Sequence, residues 1–290
     1  MEARLETALA GRLGARVTAA RPLGGGDIND AYEVALADGR RVFVKTNGRA
    51  PRAMFPAEAR GLAWLAEARA LRIPAVVAVS DEAGDEPPFL ALELLRGGRP
   101  APDFDERLGH GLAALHRFGA PGFGLDHDNF IGRLPQANAP VAGGWPDFFR
   151  ERRLEPQLRR AADGGRASAR MKRGFERLFA ALPDLCGPAE PPARLHGDLW
   201  GGNLLCDDTG APCLIDPAVY GGHREIDLAM MRLFGGFGGR AFAAYDEAFP
   251  LADGADERVA LYQLYPLMVH VNLFGGGYAG SVEAALDRLV

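Results

Sequence analysis

The chain has 290 residues, 48% of them hydrophobic and 24% charged, with a formal net charge of −5. That apolar content excludes a mainly disordered chain, and the length accommodates one large domain or two lobes with cores of their own. The acidic balance argues against nucleic acid or an anionic membrane surface as a partner.

In residues 1–17, Glu2 and Glu6 fall among spaced apolar residues. The segment therefore reads as an amphipathic helix and not as a secretory leader, so the chain is expected to begin here and to work in the cytoplasm. The longest apolar stretch, residues 261–274, is interrupted by Gln263, Pro266, His270 and Asn272. It falls short of the roughly 18–20 residues a membrane helix needs. Cys186, Cys206 and Cys213 form no CxxC pair, so free thiols are expected in place of a disulfide framework or zinc site.

Residues 32–36 and 41–45 alternate like strands on either side of Asp38-Gly39, which predicts a hairpin with a type I′ turn. The triplet Gly24-Gly25-Gly26 precedes it. In the second strand Val42 and Val44 share one face, while Arg41, Phe43 and Lys45 share the other. Only Lys45 and Lys172 are lysines among the 33 basic residues, so a lysine on this strand stands out. Residues 56–71 have helical spacing that aligns Glu58 with Leu62 and Leu65. A carboxylate on an apolar stripe needs a partner, and Lys45 is the candidate.

Residues 76–79 and 89–95 complete an antiparallel sheet. A linker at 96–102 separates an N-terminal lobe, residues 1–95, from a C-terminal lobe, residues 96–290. Helices are predicted at 104–118, 145–160, 167–182 and throughout the chain beyond Glu225, with a long Gly/Pro-rich loop at 119–146. No internal repeat is present. The fold class is α+β.

Two polar clusters end short apolar runs: His196-Gly197-Asp198 with Asn203, then Asp216 after Leu214-Ile215. An aspartate five residues before an asparagine, with a second aspartate thirteen residues later, is the spacing phosphotransferases use. One aspartate orients the acceptor hydroxyl, while the asparagine and second aspartate hold Mg²⁺ against nucleotide phosphates. Hard oxygen donors suit that ion. Each element alone has an ordinary structural explanation; their joint order after a glycine-rich turn, a strand lysine and a helix glutamate points to phosphoryl transfer.

At these residues the chain resembles the fructosamine kinase, or ketosamine-3-kinase, family, within the wider group of aminoglycoside phosphotransferase and choline kinase relatives. The matching stretches include GGGDINDAYEV, VFVKTN, DNFIGRLPQAN, LHGDLWGGNLL, DPAVYGGHREIDLAMMRLFGGF and YQLYPLMVHVNLFGGGY, and they run from about residue 23 to 278. The resemblance implies a bilobal protein-kinase-like fold, with a small N-lobe of antiparallel sheet plus helix and a larger, mainly helical C-lobe. It also implies ATP-dependent phosphorylation of the sugar of a ketosamine, commonly at its 3-hydroxyl, with a deglycation role. The acceptor would be a small-molecule ketosamine or a glycated protein lysine.

Carried over by motif, Asp198 matches the catalytic base, Asn203 and Asp216 the metal ligands, and Lys45 with Glu58 the ion pair that anchors ATP phosphates. Gly24, Gly25 and Gly26 match the glycine loop, and Glu93, Leu94 and Leu95 the hinge that holds adenine. Trp200, Tyr220, His223, Arg224 and Glu225, with His270 and Asn272, are expected to shape the sugar pocket.

Asp27 stands in the glycine loop where a small residue or cysteine is familiar, so cysteine-based redox control there is not expected. Asp-Pro-Ala at 216–218 and the lack of an APE motif argue against a phosphorylated activation loop. The competing readings are another small-molecule kinase of the same group, acting on an aminoglycoside, choline or a homoserine-like acceptor, and an inactive nucleotide-binding protein. A dinucleotide oxidoreductase is excluded by the absence of a strand, GxGxxG and acidic residue in that order.

Overall fold

The computed structural model describes residues 1–24 and 29–290. It divides into two compact units, Met1–Phe104 with Leu204–Pro217, and Asp105–Asn203 with Ala218–Val290. Gly25, Gly26 and Asp27 lie outside the described residues. Among the described residues no helix is long and apolar enough to cross a membrane.

The first unit is built on an antiparallel sheet of order β1-β2-β3-β5-β4: β1 (Val17–Leu23), β2 (Asp30–Leu36), β3 (Arg41–Thr46), β4 (Val76–Val79) and β5 (Phe89–Glu93). Alternation along the strands gives the sheet two apolar faces. Val42, Val44, Phe89 and Ala91 face helix α1 (Ala3–Leu13), whose Leu5, Leu9 and Leu13 repeat at helical spacing. Phe43, Leu90 and Leu92 face α2 (Met54–Glu67) through Phe55, Ala59 and Leu62. Lys45 shares its face with Phe43, and so points to the α2 side.

The β2–β3 turn differs from the expected type I′. Gly39 has φ +87°, whereas Asp38 is absent from the positive-φ residues. Gly39 N–H donates to Leu36 O at 3.1 Å and Leu36 N–H to Arg40 O at 2.9 Å. The loop is therefore three residues long, a turn closed by one left-handed glycine, because Ala37 joins the loop and not the strand.

The hairpin of β9 (Leu204–Cys206) and β10 (Pro212–Leu214) belongs to this unit through main-chain bonds: Leu214 N–H to Arg72 O at 3.0 Å, Gly98 N–H to Cys206 O at 3.0 Å, and Ala101 N–H to Gly210 O at 3.1 Å.

The second unit is mainly helical. Helix α9 (Ala255–Phe274) is buried on most sides through Leu261, Tyr262, Leu264, Tyr265, Met268 and Val271, so it lacks the polar face of a surface helix. It shares a core with Trp145, Phe148, Phe149, Phe175 and Tyr220. The predicted helix from Trp145 is α4 (Trp145–Phe148), a π-type turn at Phe149–Leu154, and α5 (Glu155–Asp163). Pro156 cannot donate to the carbonyl of Arg152, and the buried Arg153 guanidinium caps that carbonyl at 3.0 Å. The region expected to be loop contains a short hairpin, β6 (Asn129–Ile131) with β7 (Leu134–Gln136). Asn129 and Gln136 donate to the carbonyls of Val219 and Ala218 at 2.8 and 3.1 Å.

Candidate active site

In the first unit, β3 carries Lys45, α2 carries Glu58, and Asp216 follows β10. Lys45 Nζ lies 2.7 Å from Asp216 Oδ1 and is also ion-paired with Glu58 Oε1. The lysine and glutamate side chains are 5% and 13% exposed, while that of Asp216 is 48% exposed. Burial pulls the Lys45 pKa down, but Glu58 and then Asp216 outweigh it, so the ammonium is held charged with its pKa raised. Burial pushes Glu58 up to about 7 against the pull of Lys45, and the negative charge of Asp216 adds to the rise. Two carboxylates thus share one cation.

Asp216 has φ +53°, in the left-handed region that non-glycine residues seldom enter. Such strain costs on the order of 1 kcal/mol or more and persists where surrounding structure enforces it.

Glu93 ends β5. Its N–H donates to Ala75 O at 2.8 Å, and its carboxylate accepts from Arg72 Nη2 at 2.6 Å. Leu94 and Leu95 follow directly, and Gly24 follows β1.

In the second unit, β8 (Ala193–Leu195) delivers His196-Gly197-Asp198. The carboxylate of Asp227, in the first turn of α7 (Glu225–Phe234), is fully buried and accepts the N–H groups of His196 at 2.8 Å and Gly197 at 2.9 Å. A ring nitrogen of His116 lies 3.2 Å from the same carboxylate, and the other lies 2.8 Å from the Tyr245 hydroxyl. Asp227, His116 and Tyr245 escaped the sequence reading. The available signal was an aspartate one turn into an apolar helix, which must find donors when buried.

Asn203 Nδ2 donates to Asp198 O at 2.8 Å and reaches Asp198 Oδ2 at 3.3 Å. Directing the amide nitrogen at Asp198 turns its oxygen elsewhere. Gly197 has φ +81°, and a Cβ there would stand 2.1 Å from Ala218 O, so only glycine fits before the aspartate. Asn203 and Asp216 each offer a hard oxygen donor, and Mg²⁺ is commonly held by one or two such side chains, water and phosphate oxygens, so the donor chemistry fits that ion.

The expected sugar-pocket residues divide. Trp200 is 42% exposed. His270 is half-buried, donates its Nδ1–H to Pro266 O at 2.8 Å, and packs on Phe234 and Tyr278 with ring centroids 4.5 and 4.9 Å away. Exposed Phe274 adjoins it.

The other five are interior. Tyr220 is fully buried with the Arg153 guanidinium 3.8 Å from its ring centre. His223 stacks on Tyr262, and burial pushes its pKa down to about 4. Arg224 takes both oxygens of Glu190 at 2.8 Å, Glu225 pairs with Arg258 at 2.6 and 2.9 Å, and Asn272 donates to Gln157. All five are held within their own unit, yet the Tyr220 hydroxyl, His223 Nε2 and Asn272 Oδ1 are buried without a hydrogen-bond partner among the described residues.

The fructosamine kinase family model matches residues 1–290. A probable ketoamine kinase of Synechocystis is 41% identical over 280 residues, covering 94% of this chain and 90% of the relative. The chloroplastic protein-ribulosamine 3-kinase of Arabidopsis thaliana is 36% identical over 277 residues, covering 94% and 82%. A crystal structure from Thermobifida fusca, assigned as a fructosamine-3-kinase, has a TM-score of 0.88 and 41% identity over 98% of both chains. An ADP-bound aminoglycoside phosphotransferase, at TM-score 0.64 and 15% identity over 99% of this chain and 98% of its own, shares the fold. With the strand lysine, the helix glutamate and the Asp198–Asn203 pair carried on a protein-kinase-like fold, the chain belongs to the fructosamine kinase family.

Proposed function

We propose that the chain transfers the γ-phosphoryl group of ATP to a sugar hydroxyl of a ketosamine, the 3-hydroxyl, and thereby acts in deglycation. Asp198 orients the hydroxyl in line and takes its proton late in the transfer. Lys45 holds the α- and β-phosphates, with Glu58 fixing the direction of the ammonium. Asn203 and Asp216 would hold Mg²⁺, whose charge would offset that of the polyphosphate. The hinge main chain at Glu93, Leu94 and Leu95 takes adenine, and Gly24 belongs to the glycine loop. Trp200 offers its face to the sugar, and His270 helps to shape the sugar pocket.

One observation carries this reading: Asn203 is bonded to Asp198 on a loop that the buried Asp227 carboxylate holds from behind. Loose phosphoryl transfer demands positioning and charge neutralisation more than covalent chemistry, and a locked aspartate supplies the first of these. The intact Lys45, Asp198, Asn203 and Asp216 oppose an inactive role.

The test is ATP consumption with Mg²⁺ against ribulosyl-lysine, fructosyl-lysine, choline and an aminoglycoside. Turnover confined to the ketosamines and lost in Asp198→Asn is expected. Turnover of choline or the aminoglycoside alone overturns the acceptor assignment.

A further inference from the structure

Arg72 lies in the connection between α2 and β4, outside every motif read as catalytic. Its guanidinium forks between two carboxylates: Nη1 is 2.7 Å from Asp207 Oδ2, and Nη2 is 2.6 Å from Glu93 Oε1. Its carbonyl accepts the N–H of Leu214 at 3.0 Å. Each of these partners leads to a functional element of the same unit.

Glu93 is the last residue of β5, immediately before Leu94 and Leu95. Asp207 is 2% exposed and organises the β9–β10 turn, where its Oδ1 accepts Thr209 N–H at 2.9 Å, Thr209 Oγ1–H at 2.7 Å and Ala211 N–H at 2.9 Å. Leu214 stands two residues before Asp216. The donors from Thr209 and Ala211, with the Arg72 fork, hold the Asp207 carboxyl well below the usual carboxylate range. One rigid, planar cation therefore fixes both the strand end that precedes the hinge and the hairpin that ends in Asp216. A lysine can pair with two carboxylates, as Lys45 does, but its compact ammonium lacks the planar fork that fixes the two directions here.

We propose that Arg72 is a positioning residue that couples adenine binding at the hinge to metal binding at Asp216. Its fork sets the distance between the β5 end and the β9–β10 hairpin. The inference rests on the kinase reading, which assigns adenine to the hinge and the metal to Asp216.

Binding to the full-length chain tests it, by titration with adenosine, which has neither phosphate nor need of metal, and with ADP in the absence and presence of Mg²⁺. All titrations are run well below each variant's melting temperature. Arg72→Gln is expected to weaken adenosine several-fold and also to shrink the gain in ADP affinity that Mg²⁺ brings, about ten-fold in all for Mg-ADP. Arg72→Lys is expected to recover little of either. Glu93→Gln and Asp207→Asn each break one arm of the fork, so each should weaken adenosine and shrink the Mg²⁺ gain together, by less than Arg72→Gln does.

Arg72→Gln and Arg72→Lys that match the parent in both readouts, with only a lower melting temperature, overturn the proposal and leave Arg72 a structural residue. Loss of adenosine affinity with an unchanged Mg²⁺ gain overturns the coupling. A parent chain that binds no adenine nucleotide overturns the kinase reading and this proposal with it.

Discussion

Asp227 accepts the main-chain N–H of Gly197 at 2.9 Å, from a carboxylate with no exposed surface. The same carboxylate serves His196 N–H and faces His116, so it is the anchor from which Asp198 is presented. Asp227→Asn keeps the volume but replaces one acceptor oxygen by an NH₂ group that confronts these donors. A stability loss of about 2–4 kcal/mol is expected, with kcat lowered and KM for ATP little changed. Denaturant unfolding and steady-state kinetics check it.

Removal of the carboxylate charge at Asp198 should act on the chemical step alone. Asp198→Asn preserves the bond from Asn203 to the main-chain carbonyl, so the loop keeps its shape. A kcat loss of roughly 10²–10⁴ is expected, the range a general base contributes, with ADP affinity within a factor of about two. Single-turnover kinetics and calorimetric titration separate the two effects.

Glycines with similar φ should respond very differently to alanine. Gly39, at +87°, has open space around a new Cβ, so Gly39→Ala should cost only the left-handed penalty of about 1–2 kcal/mol. Gly197, at +81°, would drive its Cβ into Ala218 O, so Gly197→Ala should add a steric cost, displace Asp198 and abolish turnover. Melting curves and turnover of the two variants check the contrast.

His223 makes acid stability predictable in sign. Its folded pKa is pushed down to about 4 because burial disfavours the imidazolium, with Glu190 opposing and Arg258 and Arg224 adding to the fall. The unfolded chain, with an ordinary histidine pKa near 6.5, therefore binds the proton first. Stability is full above about 6.5 and falls as pH drops toward 4, by a total of about 3 kcal/mol from this group. His223→Gln should flatten that part of the stability profile, as measured by denaturant midpoints from pH 8 to 4.

Trp200 is one of the few large apolar side chains left exposed, so it contributes little to folding. Trp200→Ala should leave the melting temperature near the parent value while raising KM for the ketosamine and not for ATP.

The elements around the phosphate-binding residues were legible because their signals are local. Alternation across β3 put Lys45 on the face of Phe43, and helical spacing put Glu58 beneath it, so the ion pair could be named before any coordinates. Less was legible where distant residues decide the surroundings. Arg224 and Glu225 look like ligand groups by residue type, yet Glu190 and Arg258 neutralise them from 34 and 33 residues away, at a spacing no local pattern carries. Tyr220 and Asn272 are likewise engaged inside the unit, by Arg153 and Gln157. The turn at Asp38-Gly39 was misread because Ala37, a residue without turn character, enters the loop. Asp227 was missed because a buried acceptor advertises nothing until its donors are known.

The chain enters the first unit twice, once from the N-terminus and again at Leu204–Pro217. A protease that cuts in the exposed residues 96–100 would thus leave Lys45 and Glu58 on one fragment and Asp216 on the other. Neither piece holds the whole Lys45–Glu58–Asp216 cluster, and the expected behaviour after such a cut is fragment complementation, with nucleotide binding restored only when both pieces reassemble.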